Sequence, residues 1–183
     1  MRITKTGYAL NFIQSRVIGD ESRHTKTHIY SFFSDQTKLK YILLVEEHDF
    51  DFYALKFYAK CHRKSDRKFN IIINKGDVFN ILITCVKVIP ILLEENPNAS
   101  FGILGSRTIT KENFVEPESN NKRFKIYSQL IPIVIGSNIF LHKEFPSLSG
   151  YLLLNKNHEL NLNDLEIEIQ KMITETYITL PLI

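Results

Sequence analysis

Gly76-Asp77-Val78-Phe79-Asn80-Ile81-Leu82-Ile83-Thr84-Cys85-Val86-Lys87-Val88-Ile89-Pro90-Ile91-Leu92-Leu93 is where the chain changes its hydrophobic period, and the fold class turns on it. Asp77 suits a helix N-cap, and Val78, Phe79, Ile81, Leu82, Cys85, Val86, Ile89, Leu92 and Leu93 recur at helical spacing. Apolar nearly all round, this helix needs cover on most of its sides. Pro90, with no amide hydrogen, is expected to kink it, and Asn96-Pro97 to end it. Asn80, Thr84, Lys87 and Pro90 interrupt the stretch, which falls short of the ~20 apolar residues of a membrane span. It reads as a core helix, and no membrane partner is expected.

Upstream, the pattern is that of strands. Tyr8 to Ser15, Thr27 to Phe33, Tyr41 to Glu47, Phe52 to Lys60 and Phe69 to Asn74 are short, aromatic and β-branched, with polar breaks between them. Strands in succession without helices predict an antiparallel meander. Downstream, Ser100 to Leu104 reads as a buried strand ending at Gly105-Ser106, and Thr108 to Asn120 as an exposed loop. A second helix starts near Asn121 with Phe124, Tyr127 and Ile131 on one face, and Pro132 bends or ends it. Ser149 to Leu154 reads as a strand. Asn163, with Glu166 three residues on, predicts a capping box for a last helix through Tyr177, with Leu165, Ile169, Met172 and Ile173 facing inward. The expectation is one α+β domain over residues 1–183: an antiparallel meander in the N-terminal half, then about three helices packing on the sheet.

Composition agrees with a globular chain: of 183 residues, 44% are hydrophobic and 23% charged, which argues against pervasive disorder. The N-terminus has no apolar run behind its charges, so no secretory signal is read and a cytoplasmic location is expected. Cys61 and Cys85 stand far apart, so reduced thiols are expected, with Cys85 buried. The net charge of +3 is too small to decide a partner, so local clusters must.

Three clusters carry candidate chemistry. Gly105, Ser106 and Arg107 end a strand, and Lys122, Arg123 and Lys125 open the next helix. Helix-start amides and a glycine turn favour an anion, and cations in a first turn oppose the helix dipole unless counter-charged. A phosphate held by Lys122 and Arg123, with Arg107 stabilising charge and Tyr127 stacking or hydrogen-bonding, is the functional reading. Neutralisation by Glu116 and Glu118, or by water, is the plainer one. The run Lys60, Cys61, His62, Arg63, Lys64, Ser65, Asp66, Arg67, Lys68, between Tyr58 and Phe69, forms a secondary basic patch suited to phosphate backbones and stacked bases, or a solvated face that keeps a sheet edge soluble. Arg23 and His28 match the arginine-to-histidine spacing of the helical HEPN ribonucleases, but their surroundings read as a strand.

His48, Asp49 and Asp51, preceded by Glu46-Glu47, offer oxygen and nitrogen ligands without any known metal spacing. Phosphate-loop, dinucleotide and nucleophile-elbow motifs are missing, so neither metal nor cofactor is expected. Phe57-Tyr58-Ala59-Lys60, Asn96 through Gly105, Asn121 through Ser128 and Ser149 through Leu153 together resemble a group of uncharacterised bacterial proteins with no known activity. The resemblance covers about the last two thirds of the chain and carries over no functional residue. Proteins of that kind suggest a component of a bacterial defence or toxin-antitoxin system, engaging RNA or a nucleotide. The competing expectation is a protein partner or homo-oligomer, met through the aromatic sheet face or the final strand.

Overall fold

A computed structural model describes residues 6–18, 24–71, 73, 75–109 and 115–178. The fold is α+β. Strands β1 (Asn11–Val17), β2 (Lys26–Ser34), β3 (Leu39–His48) and β4 (Phe52–Ala59) form the meander. Helices α1 (Val78–Val86) and α2 (Val88–Glu95) lead to β5 (Ser100–Leu104), and α3 (Lys122–Ile135) follows. A hairpin of β6 (Phe140–Phe145) and β7 (Gly150–Asn155) then precedes α4 (Leu162–Ile173), which runs into a π-helical turn, Thr174–Ile178. One seven-stranded sheet takes strands from both halves of the chain, in the order β1-β2-β3-β4-β5-β7-β6. Only β4 and β5 run parallel among the adjacent pairs, because α1 and α2 carry the chain back across the sheet between them.

Strand alternation gives the sheet two apolar faces. Tyr30, Phe32, Leu43, Val45, Tyr53, Leu55, Phe101 and Leu153 join the inner faces of α1, α2 and α3 in the larger core. On the reverse face Phe52, Ala54, Leu152 and Leu154 meet Leu165, Ile169 and Ile173 of α4. Gly102 belongs to this second layer: a β-carbon there would lie 2.9 Å from Phe52 Cε2 and 3.0 Å from Leu152 Cδ2.

Several expectations are corrected. Phe69 to Asn74 is not a strand among its described residues; 69 and 70 are in turns, and residues 72 and 74 lie outside the described set. β5 holds the Phe52–Leu55 part of the β4 edge that it would have paired, and the carbonyls of Phe69 and Ile71 bond to Arg123 of α3 instead. The first helix divides at Lys87 rather than bending at Pro90. Pro90 is the third residue of α2 and cannot donate to the carbonyl of Val86, so the break falls one turn ahead of it. Pro132 is carried inside α3, which continues to Ile135. The last helix is capped by Asn161, whose side chain accepts from the amides of Asn163 and Asp164. Strand β6 was not anticipated, since its Leu141-His142-Lys143-Glu144 centre hides the alternation; Leu141 and Phe145 pack against the α4 layer.

Tyr8, expected in the first strand, precedes it and ties the chain to α1. Its amide donates to Thr84 Oγ1 at 2.8 Å, and its hydroxyl and that of Ser34 both donate to the buried carboxylate of Asp77, at 2.8 and 2.5 Å. Asn80 Nδ2 donates to the other oxygen of Asp77 at 2.8 Å. Ser34 Oγ accepts from the amide of Thr37 at 3.0 Å, so the same network fixes the turn between β2 and β3. No helix among the described residues is long and apolar enough to cross a membrane.

Candidate functional site

Strand β4 is paired with β3 along its whole length, but with β5 only from Phe52 to Leu55. Beyond Leu55 no strand among the described residues lies beside its second edge. The reason lies at the end of β5, where Gly105 presses against the start of α3. Gly105 N–H donates to Ser149 O at 2.9 Å, and Gly105 O accepts from Asn121 Nδ2. Asn121, 2% exposed, caps α3 through Oδ1, which accepts from the Phe124 amide at 3.0 Å. The first turn of α3, with Phe69, Ile71 and Ile73, therefore stands where another strand would lie.

Two cavities open in this place. The larger, about 250 Å³, has an apolar wall including Tyr41, Ala59, Ile81 and Ile126, with Lys122 on its rim. The smaller, about 170 Å³, is bounded by Lys56, Ser106, Phe69 and Tyr177. Phe57, Arg123 and Tyr127 line both. Tyr127 is 2% exposed, and among the described residues its hydroxyl has no hydrogen-bond partner. Burial pushes its pKa up to about 12, against the opposing charge of Arg123, so it is a neutral donor at physiological pH. Arg123 donates through Nη1 to Phe69 O and through Nη2 to Ile71 O at 3.0 Å, which holds the cavity wall and leaves further guanidinium donors.

The smaller cavity has a polar flank on the α4 side. Lys56 Nζ is 2.7 Å from Glu46 Oε2 and 4.2 Å above the Tyr177 ring. The Tyr177 hydroxyl donates to the same carboxylate oxygen at 2.6 Å and lies 2.5 Å from His48 Nε2. Burial pushes Glu46 upward, but the charge and hydrogen bond of Lys56, the Tyr177 hydroxyl and His24 outweigh it and hold its pKa below the usual range. Burial and the neighbouring Glu46 raise Tyr177 far above its ordinary pKa, so it too stays protonated.

Of the expected ligand-binding residues, Ser106, Lys122, Arg123 and Tyr127 are thus brought to the cavities. Gly105 and Arg107 line neither: Gly105 is a packing residue, and Arg107 O accepts from Asn70 Nδ2 at 2.8 Å. The helix start itself is taken. Glu116, 8% exposed, accepts from the Lys122 amide at 2.8 Å and the Thr108 amide at 3.1 Å, so its carboxylate stands where a phosphate was expected. Burial raises its pKa, yet those donors and the charge of Lys122 prevail and lower it.

In the secondary patch, Lys60, Arg63 and Lys64 line an open concavity of about 530 Å³ together with Lys38 and Lys40. Lys68 lies 5.2 Å over the rings of both Tyr58 and Phe69, while Arg67 does not line the concavity. His28 sits on β2, not on a helix, and Arg23 lies outside the described residues. Ser15 Oγ, His28 and Glu47 make a cross-strand row, at 3.0 and 3.2 Å, of the residue types used by nucleophile relays, but Ser15 is on an exposed edge strand that neither cavity reaches. Asp51 Oδ1 accepts from Asn96 Nδ2 while His48 turns to Tyr177, so these two side chains of the turn face different partners.

Lys56 and Tyr177 were missed in the sequence, though Lys56 had a signal: it is the one charge in the otherwise apolar strand Phe52–Ala59. Tyr177 had none, being brought back by the turn after α4. The architecture is that of an α+β protein with a mixed sheet and a double cavity beside its central strand. No family model, curated protein or solved structure matches the chain.

Proposed function

We propose that this protein binds a small phosphate-bearing ligand of nucleotide type in the double cavity. The ring or other apolar body occupies the larger chamber, between β4, α1 and α3. The phosphate lies by Arg123, with Lys122 or Lys56 supplying further charge and Ser106 a hydroxyl. Side chains rather than the helix-start amides hold it, since Glu116 occupies those. The supporting observation is Tyr127: a hydroxyl without a hydrogen-bond partner among the described residues, beside a guanidinium and on the wall common to both chambers, is placed to donate to an acceptor there. The exposed free thiol of Cys61 accords with a reducing, cytoplasmic setting.

Native mass spectrometry of protein purified without a high-salt wash, followed by calorimetry with AMP, ADP, ATP and inorganic phosphate, tests this reading. Tyr127→Phe should weaken nucleotide binding by about 10-fold, the worth of one hydrogen bond to a charged acceptor. No co-purifying nucleotide and no heat of binding with any of these probes at about 1 mM would overturn it.

Self-association is a second reading with an observation of its own. β1 is an edge strand exposed along its whole length, and Phe12, Ile13 and Val17 are 58%, 47% and 84% exposed, the pattern of an edge that pairs with another chain. Light-scattering mass over a dilution series tests it: a dimer lost in Ile13→Lys supports the reading, and a monomer throughout removes it.

A further inference from the structure

Lys38 and Lys40 were not among the basic residues picked out by sequence, yet the fold places them opposite Lys60, Arg63 and Lys64. Five of the seven described residues lining this concavity are cations, and none of the seven is acidic. Among the described residues none of the five has a carboxylate within ion-pair distance. Like charges gathered so closely repel one another, and the arrangement is stabilised by an anion that spans them.

The scaffold is firm. Lys38 has a left-handed backbone (φ 57°), and its amide donates to Ser34 O at 2.8 Å. Ser34 and Thr37 are both buried, and Ser34 is fastened to Asp77. Lys40 is paired across the sheet with Phe33, whose ring is 49% exposed. An exposed ring beside a row of cations is the pairing of groups that receives an unstacked base and its backbone phosphates together.

We propose that the concavity is a binding site for single-stranded nucleic acid: Lys38, Lys40, Lys60, Arg63 and Lys64 contact successive phosphates, and Phe33 stacks on a base. The site is separate from the double cavity, and its ligand is a polymer rather than a free nucleotide.

The test uses the full chain and fluorescein-labelled oligouridylate and oligothymidylate of about twelve nucleotides, within the site sizes of single-strand binders. Binding followed by anisotropy should weaken with salt at a log–log slope of about −3.5, the value for five phosphate contacts on a single strand. Lys40→Ala with Lys64→Ala should bring that slope to about −2, while Lys125→Ala, a change on exposed α3 surface, leaves it unaltered. Phe33→Ala should cost about 10-fold in oligonucleotide affinity and nothing in affinity for a polyphosphate chain. The exposed thiol of Cys61, which lines the concavity, should react more slowly with maleimide once the oligonucleotide is bound. Absence of binding, equal loss of polyphosphate and oligonucleotide binding in Phe33→Ala, or an unprotected Cys61 would each overturn the proposal. Nucleotide calorimetry is unaffected by these variants if both sites exist, so the two readings fail separately.

Discussion

Gly105→Ala should destabilise the protein through the cap of α3, and its size can be worked from the contacts. A β-carbon at Gly105 would lie 2.6 Å from Asn121 Oδ1 and 3.1 Å from the Phe124 amide nitrogen. Asn121 is 2% exposed and has no room to swing away. Displacing it forfeits the cap, worth about 1 kcal/mol, and strands a buried amide at about 1–3 kcal/mol. The sum is about 2–4 kcal/mol, or a fall of about 5–15 °C in Tm for a chain of this size. Urea unfolding followed by circular dichroism should be run on Gly105→Ala, Asn121→Ala and the double variant. With the Asn121 side chain trimmed, the Phe124 amide is the one of its three nearest contacts that the new methyl group keeps, and the change should add about 1 kcal/mol or less, giving a coupling of at least about 1 kcal/mol. A Gly105→Ala variant within about 0.5 kcal/mol of the parent, or strict additivity, would refute the close-packing argument and return Gly105 to the role of a pliant turn.

Three other outcomes are expected. Gly102→Ala should cost about 1–3 kcal/mol in urea, because its methyl group enters the Phe52 ring, and Phe52→Leu in the same chain should recover part of that loss. Glu116→Gln should lose about 1–3 kcal/mol at pH 7; since the folded pKa of Glu116 is depressed, its contribution is fully present above the ordinary carboxylate pKa and is lost as pH falls through the folded value, so the gap from the parent narrows on acidification. Tyr177→Phe removes a donor that keeps Glu46 ionised, and its acid-unfolding midpoint should therefore move to higher pH than the parent's.

The meander was legible in the sequence because β2 to β4 are built of local pairings between strongly apolar, aromatic runs. The strand Ser100–Leu104 was equally plain from its apolar run and terminal glycine. Phe69 to Asn74 has the same composition, yet its described residues form no strand, because the carbonyls of Phe69 and Ile71 are taken by Arg123 of α3. Strand β6 was hidden by His142, Lys143 and Glu144, which a sheet edge tolerates. At the site, local clustering found Ser106, Lys122, Arg123 and Tyr127. Glu116, six residues ahead of Lys122, was also within its reach as the neutralising group, but it could not find that Lys56 and Tyr177 meet them, since those contacts span tens of residues.

The half-paired strand β4 has a kinetic consequence. Walls of the double cavity come from β4, the segment after it, α1 and α3, so the chamber is complete only when the chain has passed through two helices, returned as β5 and capped α3. A folding chain that has made only the early meander has no chamber for a nucleotide. Occupancy would then reward the finished protein alone: saturating nucleotide should slow escape from the native state and leave the rate of reaching it almost untouched.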